Sequence, residues 1–265
     1  MDIGQLIIEV LGGALVGLSL GLMGAGGAIL SIPIFTLVLG HAIAVAKIEA
    51  LAVTGAIALF SGIRAAIARN TDLARFAAFA LPGLVGAWLG GPIGRMIPPI
   101  VQASLFGALA VVAAWRMTAA QKGQDSDAPP PLSGRAIALA AVTGLLIGVL
   151  TSVIGVGGGF LLVPALVLIT GLPIKRAAGT SLLVIAVNSG VGVAASASYQ
   201  REAFDSADWK AVSIVALCGV VGSIAGARFS ARLPATVLRR IFAAVLVLVA
   251  LAVVLKESGV LAFRA

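Results

Sequence analysis

Polar residues along this chain gather in short clusters, and the stretches between the clusters are almost wholly apolar. Six such stretches, at about 48–68, 73–95, 100–117, 178–198, 209–231 and 236–255, carry charges only at their edges. Each is long enough as a helix to cross roughly 30 Å of hydrocarbon. Two longer stretches, 5–39 and 136–170, are interrupted midway by "GAGGAILSIP" at 24–33 and "GVGGGFLLVP" at 155–164. As one helix each would run about 50 Å, so each is either an overlong crossing or a hairpin that enters and returns. Backbone exposed to lipid must satisfy its own hydrogen bonds, and the pattern therefore predicts an all-α polytopic integral membrane protein.

The interruptions are copies of one another. At an offset of 131, Gly13, Leu15, Gly17, Gly24, Gly26, Gly27, Leu30, Pro33, Leu37 and Gly40 meet identical residues. Further on the offset becomes 136, where Asp72, Gly83, Gly86, Gly90, Pro98 and Phe106 do the same. The chain thus reads as two homologous repeats, 1–118 and 135–265, each a Gly-broken helical hairpin plus three transmembrane helices. The linker 119–134 is rich in Pro, Ser and charge, as a solvated joint is. Small residues also recur at four-residue spacing, among them Gly13, Gly17 and Gly21, and Gly86, Gly90 and Gly94. Such stripes let helix backbones approach closely in lipid.

Composition agrees with that class: 60% of the 265 residues are hydrophobic and 11% charged, against about 25% charged in an average soluble domain. The net charge of +8 implies no nucleic acid here, because Lys and Arg fall in the loops between spans, where topology requires them. With both long stretches read as hairpins, twelve basic residues lie on one side of the membrane and six on the other. Read as single crossings, they divide ten to eight. The positive-inside rule selects the hairpins, an extracellular N-terminus, a cytoplasmic linker and two repeats inverted relative to one another. No basic region precedes the first apolar stretch, so it does not read as a cleaved signal peptide. The single cysteine, Cys218, allows no disulfide and no CxxC metal site.

The glycine motif excludes some chemistry. A dinucleotide fingerprint needs a sixth-position glycine, where Ile29 and Phe160 stand, and a phosphate loop needs a lysine that neither copy has. Broken apolar segments at matching positions of two repeats point instead to a transporter site. The helix segment after a break offers free N–H groups and a positive dipole end to an anion. Candidate binding positions are accordingly Gly24, Ala25, Gly26 and Gly27, with Gly155, Val156, Gly157, Gly158 and Gly159. Thr180, Ser181, Asn188 and Ser189 add hydroxyl and amide donors on one face of a later span; interhelical hydrogen bonding is the alternative use for them. Thr54 and Ser61 are thinner counterparts in the first repeat. Lys47 and Glu49 sit at a span edge as candidates for a coupling ion, H+ or Na+, or as residues in headgroup water. His41, in a loop, reads as solvated, and Asp72 and Asp208 read as helix N-caps.

The duplicated glycine motif, with "AAGTSL" and "NSG" in the second repeat, resembles the TauE/SafE sulfite exporter family over nearly the whole chain. The resemblance implies a carrier of the bacterial cytoplasmic membrane for sulfite, sulfoacetate or related organosulfur anions, with no cofactor. One departure stands out: "AKIEAL" at 46–51 occupies the place of "AAGTSL", so Ile48-Glu49-Ala50 replaces Gly-Thr-Ser. The expected function is a secondary transporter working by alternating access. An anion channel of the same architecture, or a carrier for a non-sulfur organic anion, is the alternative. An intramembrane enzyme is not expected, with no HExxH, one Cys and one His. Neither the particular anion, the direction of transport nor any homo-oligomer is legible in the residues.

Overall fold

A computed structural model describes residues 3–24, 27–98, 131–154 and 159–234, with positions 101, 108, 115, 236, 237, 240, 241 and 244. The spans expected at 100–117 and 236–255 lie outside the described residues. The described chain is helical, without strands: α1 (Ile3–Met23), α2 (Gly27–Pro33) continuing as a π-helical turn (Ile34–Val38), α3 (Ile43–Ile67), α4 (Leu73–Met96), α5 (Gly134–Ile154), α6 (Gly159–Thr170), α7 (Ile174–Tyr199), α8 (Arg201–Asp205) and α9 (Trp209–Arg232). Six of these, α1, α3, α4, α5, α7 and α9, are long and apolar enough to cross a bilayer. Their outward positions, such as Leu15, Leu81, Val142 and Leu217, stay exposed, as lipid-facing residues do.

Matching sequence makes matching structure in the segments after the glycine breaks. After Gly24, at φ +66°, Ile34 returns to lie against Gly12, so the chain runs back along α1. Each return segment of 12 residues is about 18 Å long, too short to cross hydrocarbon alone. Both segments end in the same cap. Gly40 and Gly171 take positive φ, and the next N–H, from His41 or Leu172, reaches back to the carbonyl of Phe35 or Leu166. Glycine is favoured there because a Cβ opposes the left-handed turn. Asp72 and Asp208 cap α4 and α9 as expected, accepting from the N–H of Arg75 and from those of Lys210 and Ala211. The five-residue helix α8 sits where the internal offset rises from 131 to 136 and accounts for the change.

Glycine also sets the helix pairing. A Cβ on Gly13, Gly17 or Gly21 of α1 would fall on the backbone carbonyls of Val215, Gly219 or Ser223 in α9. Gly86, Gly90, Gly144 and Gly148 seal α4 against α5 in the same way. Both pairs run parallel. Between them α3 and α7 cross antiparallel, with Leu51 near Gly192, Gly55 against Ser189 and Gly62 against Leu183. Introducing Gly17→Val is expected to prise α1 from α9 and abolish the folded, monodisperse protein on size-exclusion chromatography. Overpacking a close-packed site costs about 1–3 kcal/mol even where side chains can yield, and a backbone carbonyl yields less. Gly190→Ala, with nothing within 4 Å, is the control. It should leave the melting temperature unchanged or raise it, since alanine is the better helix former by about 1 kcal/mol.

Candidate functional site

The crossing of α3 and α7 is the most buried part of the membrane-spanning core. Thr54, Asn188 and Ser189, each 1% exposed or less, lie there. The antiparallel register sets Thr54 level with residue 190, so the three share one height along the bundle, midway along α3. The Thr54 Oγ1, the Ser189 Oγ and both amide atoms of Asn188 are buried without a hydrogen-bond partner. Asn188 presses its amide on Gly83 of α4. An unmet buried polar group costs about 1–3 kcal/mol. Helices otherwise built from alanine, valine and leucine could avoid that cost with an apolar residue, as Ile57 does at the position matching Asn188.

The other two predicted hydroxyls lie about 12 Å away along α7 and are occupied. Thr180 Oγ1 accepts the N–H of Asp72 at 2.9 Å and donates to the Arg176 carbonyl at 2.8 Å. Ser181 Oγ shares its proton between the carbonyls of Gly24, at 2.6 Å, and Ala178, at 2.8 Å. Ser181 thus fixes the end of α1 where the first glycine motif begins. Gly27 opens α2 and Gly159 opens α6. Ala25, Gly26, Gly155, Val156, Gly157 and Gly158 lie outside the described residues.

Glu49 explains the sequence departure. It matches Thr180 at the offset of 131 and takes the same hydrogen bond, its Oε1 accepting the N–H of Asp208 at 2.8 Å. Being a carboxylate, it has acceptor capacity left over, and His41 Nδ1 fills it at 2.7 Å. Glu49 is fully buried, which rules out its headgroup-water alternative, and His41, 20% exposed, turns its ring onto Glu49 and is not simply solvated, because the loop after the π-helical turn folds over the start of α3. At the other end of α3, Asp72 holds the buried Arg75 and lies 3.8 Å from Arg176. Arg75 and Arg176 in turn donate to the carbonyls of Thr170 and Thr71.

Two cavities flank the crossing at opposite ends of α3. One, of about 300 Å³, is lined by Arg64, Lys175 and Arg228 together with Gly24, Ser61 and Ser223. The other, of about 160 Å³, is lined by Lys47, Ser152, Ser196 and Gln200 among others, with Lys47 Nζ 3.4 Å from the Val153 carbonyl. Lys47 and Arg64 are 17 residues apart on α3, about 26 Å. The cavities occupy matching places: Gly21 and Ser152, Leu182 and Leu51, Ser230 and Gly94 line one each, 131 or 136 apart. Their charges do not match. Ala195, Ala44 and Pro92 stand where the larger cavity has Arg64, Lys175 and Arg228.

Residues 17–21 spell G-x-S-x-G. They lie within the last third of α1, with both glycines sealed against α9, whereas a nucleophile elbow needs a strand-to-helix turn. No cluster of three or more metal-ligating side chains occurs among the described residues.

Comparison with known proteins agrees with the membrane architecture. Residues 9–253 match the family model described as "Sulfite exporter TauE/SafE". Proteins of two Xylella fastidiosa strains, each named "Probable membrane transporter protein", are 30% identical over 257 residues, covering 96% of this chain and 97% of theirs. A probable membrane transporter protein of Methanocaldococcus jannaschii is 33% identical over 90 residues, 32% of each chain. No solved structure matches. The chain belongs to the TauE/SafE family of multi-pass membrane transporters.

Proposed function

We propose that this protein is a secondary carrier for a small sulfur-containing anion, sulfite or a C2 sulfonate, held at the α3–α7 crossing. The observation that carries the reading is the layer of unmet polar groups at Thr54, Asn188 and Ser189, buried midway between two cavities at opposite ends of the bundle. A neutral hydroxyl and a carboxamide coordinate an anion without placing a cation in lipid. Thr180 and Ser181, about 12 Å along α7, hold the frame. The two halves, 1–118 and 135–265, act as inverted repeats that expose the site alternately. This is supported by the antiparallel crossing of the matching helices α3 and α7, and by the gathering of Arg64, Arg75, Lys175 and Arg228 at one end. By the positive-inside rule that end is cytoplasmic.

The larger cavity then serves as an electropositive vestibule. Charges of one sign in a low-dielectric cleft raise the local concentration of a counter-charged substrate. Arg64→Gln together with Arg228→Gln should raise KM several-fold for substrate presented at that end and leave kcat within about twofold. The effect should shrink at high salt, where the Debye length falls to about 3 Å at 1 M. Initial rates at several ionic strengths measure this.

The proposal is tested by counterflow. Proteoliposomes loaded with unlabelled sulfite or sulfoacetate should accumulate the labelled anion transiently and saturably. A channel would show leak without counterflow.

A further inference from the structure

Glu9 lies six residues, about 9 Å, inside the start of α1. It is 2% exposed, and its Oε2 is buried without a hydrogen-bond partner. The position 131 residues on is Ala140, itself fully buried, so helix packing at this height does not call for a carboxyl group. The parallel register of α1 on α9 sets Glu9 level with Ala211, one turn inside Asp208. Residues 27–38, which run back along α1, hold no titratable side chain. The described charged and titratable groups at this end of the neighbouring elements are His41, Lys47, Glu49, Asp208 and Lys210, and Lys47 reaches the Val153 carbonyl. His41 and Glu49 bond each other, and Asp208 caps α9; none pairs with Glu9 among the described residues.

A carboxylate buried in apolar surroundings with no donor is costly, and a bound cation removes the cost. Ionisable side chains inside membrane spans mark ion pathways for this reason. We propose that Glu9 is the site of the coupling cation, a proton or Na+, that binds during the carrier cycle; the inference rests on the carrier reading above. Glu49, whose acceptors are already taken by His41 and the Asp208 N–H, serves the fold instead.

The test compares wild type, Glu9→Gln and Glu9→Asp in proteoliposomes, using sulfite as the anion. Counterflow is measured with equal ions on both sides, and net accumulation is measured under an imposed pH gradient or, separately, a Na+ gradient. Wild type should accumulate sulfite under one of the two gradients, which identifies the cation. Glu9→Gln should keep counterflow within about twofold, which also shows that it folds, and lose at least tenfold of the gradient-driven accumulation. Glu9→Asp should retain it. Should glutamine prevent folding, Glu9→Met gives the same comparison. Wild-type-like accumulation by Glu9→Gln, or indifference of wild type to both gradients, overturns the inference and leaves the carrier reading standing. Absence of counterflow in wild type removes the carrier reading and this inference with it.

Discussion

Replacing Asn188 by leucine should make the protein more stable and end its transport. Leucine has nearly the shape of asparagine, so the contact with Gly83 survives, while two buried polar atoms that meet no partner disappear. Relief of that cost raises stability by about 1–3 kcal/mol. The same change removes the amide donors proposed for the anion. A hydrogen bond to a charged group is worth about 1.5–3 kcal/mol, so transport should fall at least tenfold. Gain of stability with loss of activity at one buried position is the mark of a binding site and not of a packing residue. Ser189→Ala should act in the same two directions, more weakly. Thermal unfolding in detergent and counterflow in proteoliposomes measure the two effects on one preparation.

The second large effect is expected at Asp72. Its carboxylate caps α4, pairs with Arg75, which is 4% exposed, and lies near Arg176. Removing one partner of a buried ion pair costs about 3–5 kcal/mol, because the other charge stays behind. Asp208 holds the matching place in α9, but among the described residues its side chain accepts only from the N–H groups of Lys210 and Ala211. Losing such a cap costs about 1 kcal/mol. Asp72→Ala should therefore depress the melting temperature several times more than Asp208→Ala, although the sequence repeats the aspartate faithfully. Equal losses would mean that the Arg75 pair contributes nothing.

The sequence made the frame legible because membrane helices write it in composition and in glycine. The apolar runs located α3, α4, α7 and α9. The expected starts of α3 and α7, at 48 and 178, fell about one turn late, since Lys47, Lys175 and Arg176 read as loop while their helices already run from Ile43 and Ile174. The repeated glycines marked the breaks, and the structure adds that the small-residue stripes bury backbone against backbone. Asp72 and Asp208 were readable as caps, because capping is decided within three residues.

What stayed illegible depends on partners distant in sequence. Nothing local separates Thr180, which accepts from a residue 108 positions away, from Asn188, which accepts from none. His41 read as solvated because the fold that seats it on Glu49 is tertiary. Nothing local marks Glu9 either, since a carboxylate six residues into a helix looks exposed until α9 packs over it. The two repeats differ there: at the offset of 131 Glu9 aligns with Ala140, as Glu49 aligns with Thr180 and Asn188 with Ile57.

The central claim is that an anion binds at the α3–α7 crossing, and thermal stabilisation by ligand tests it most directly. A ligand at 100 times its dissociation constant stabilises the folded state by about 2.7 kcal/mol. Sulfite or sulfoacetate should raise the melting temperature of the purified wild type, and Asn188→Leu, starting from a higher melting temperature, should show no further rise. An undiminished shift in Asn188→Leu would place the site elsewhere and contradict the account.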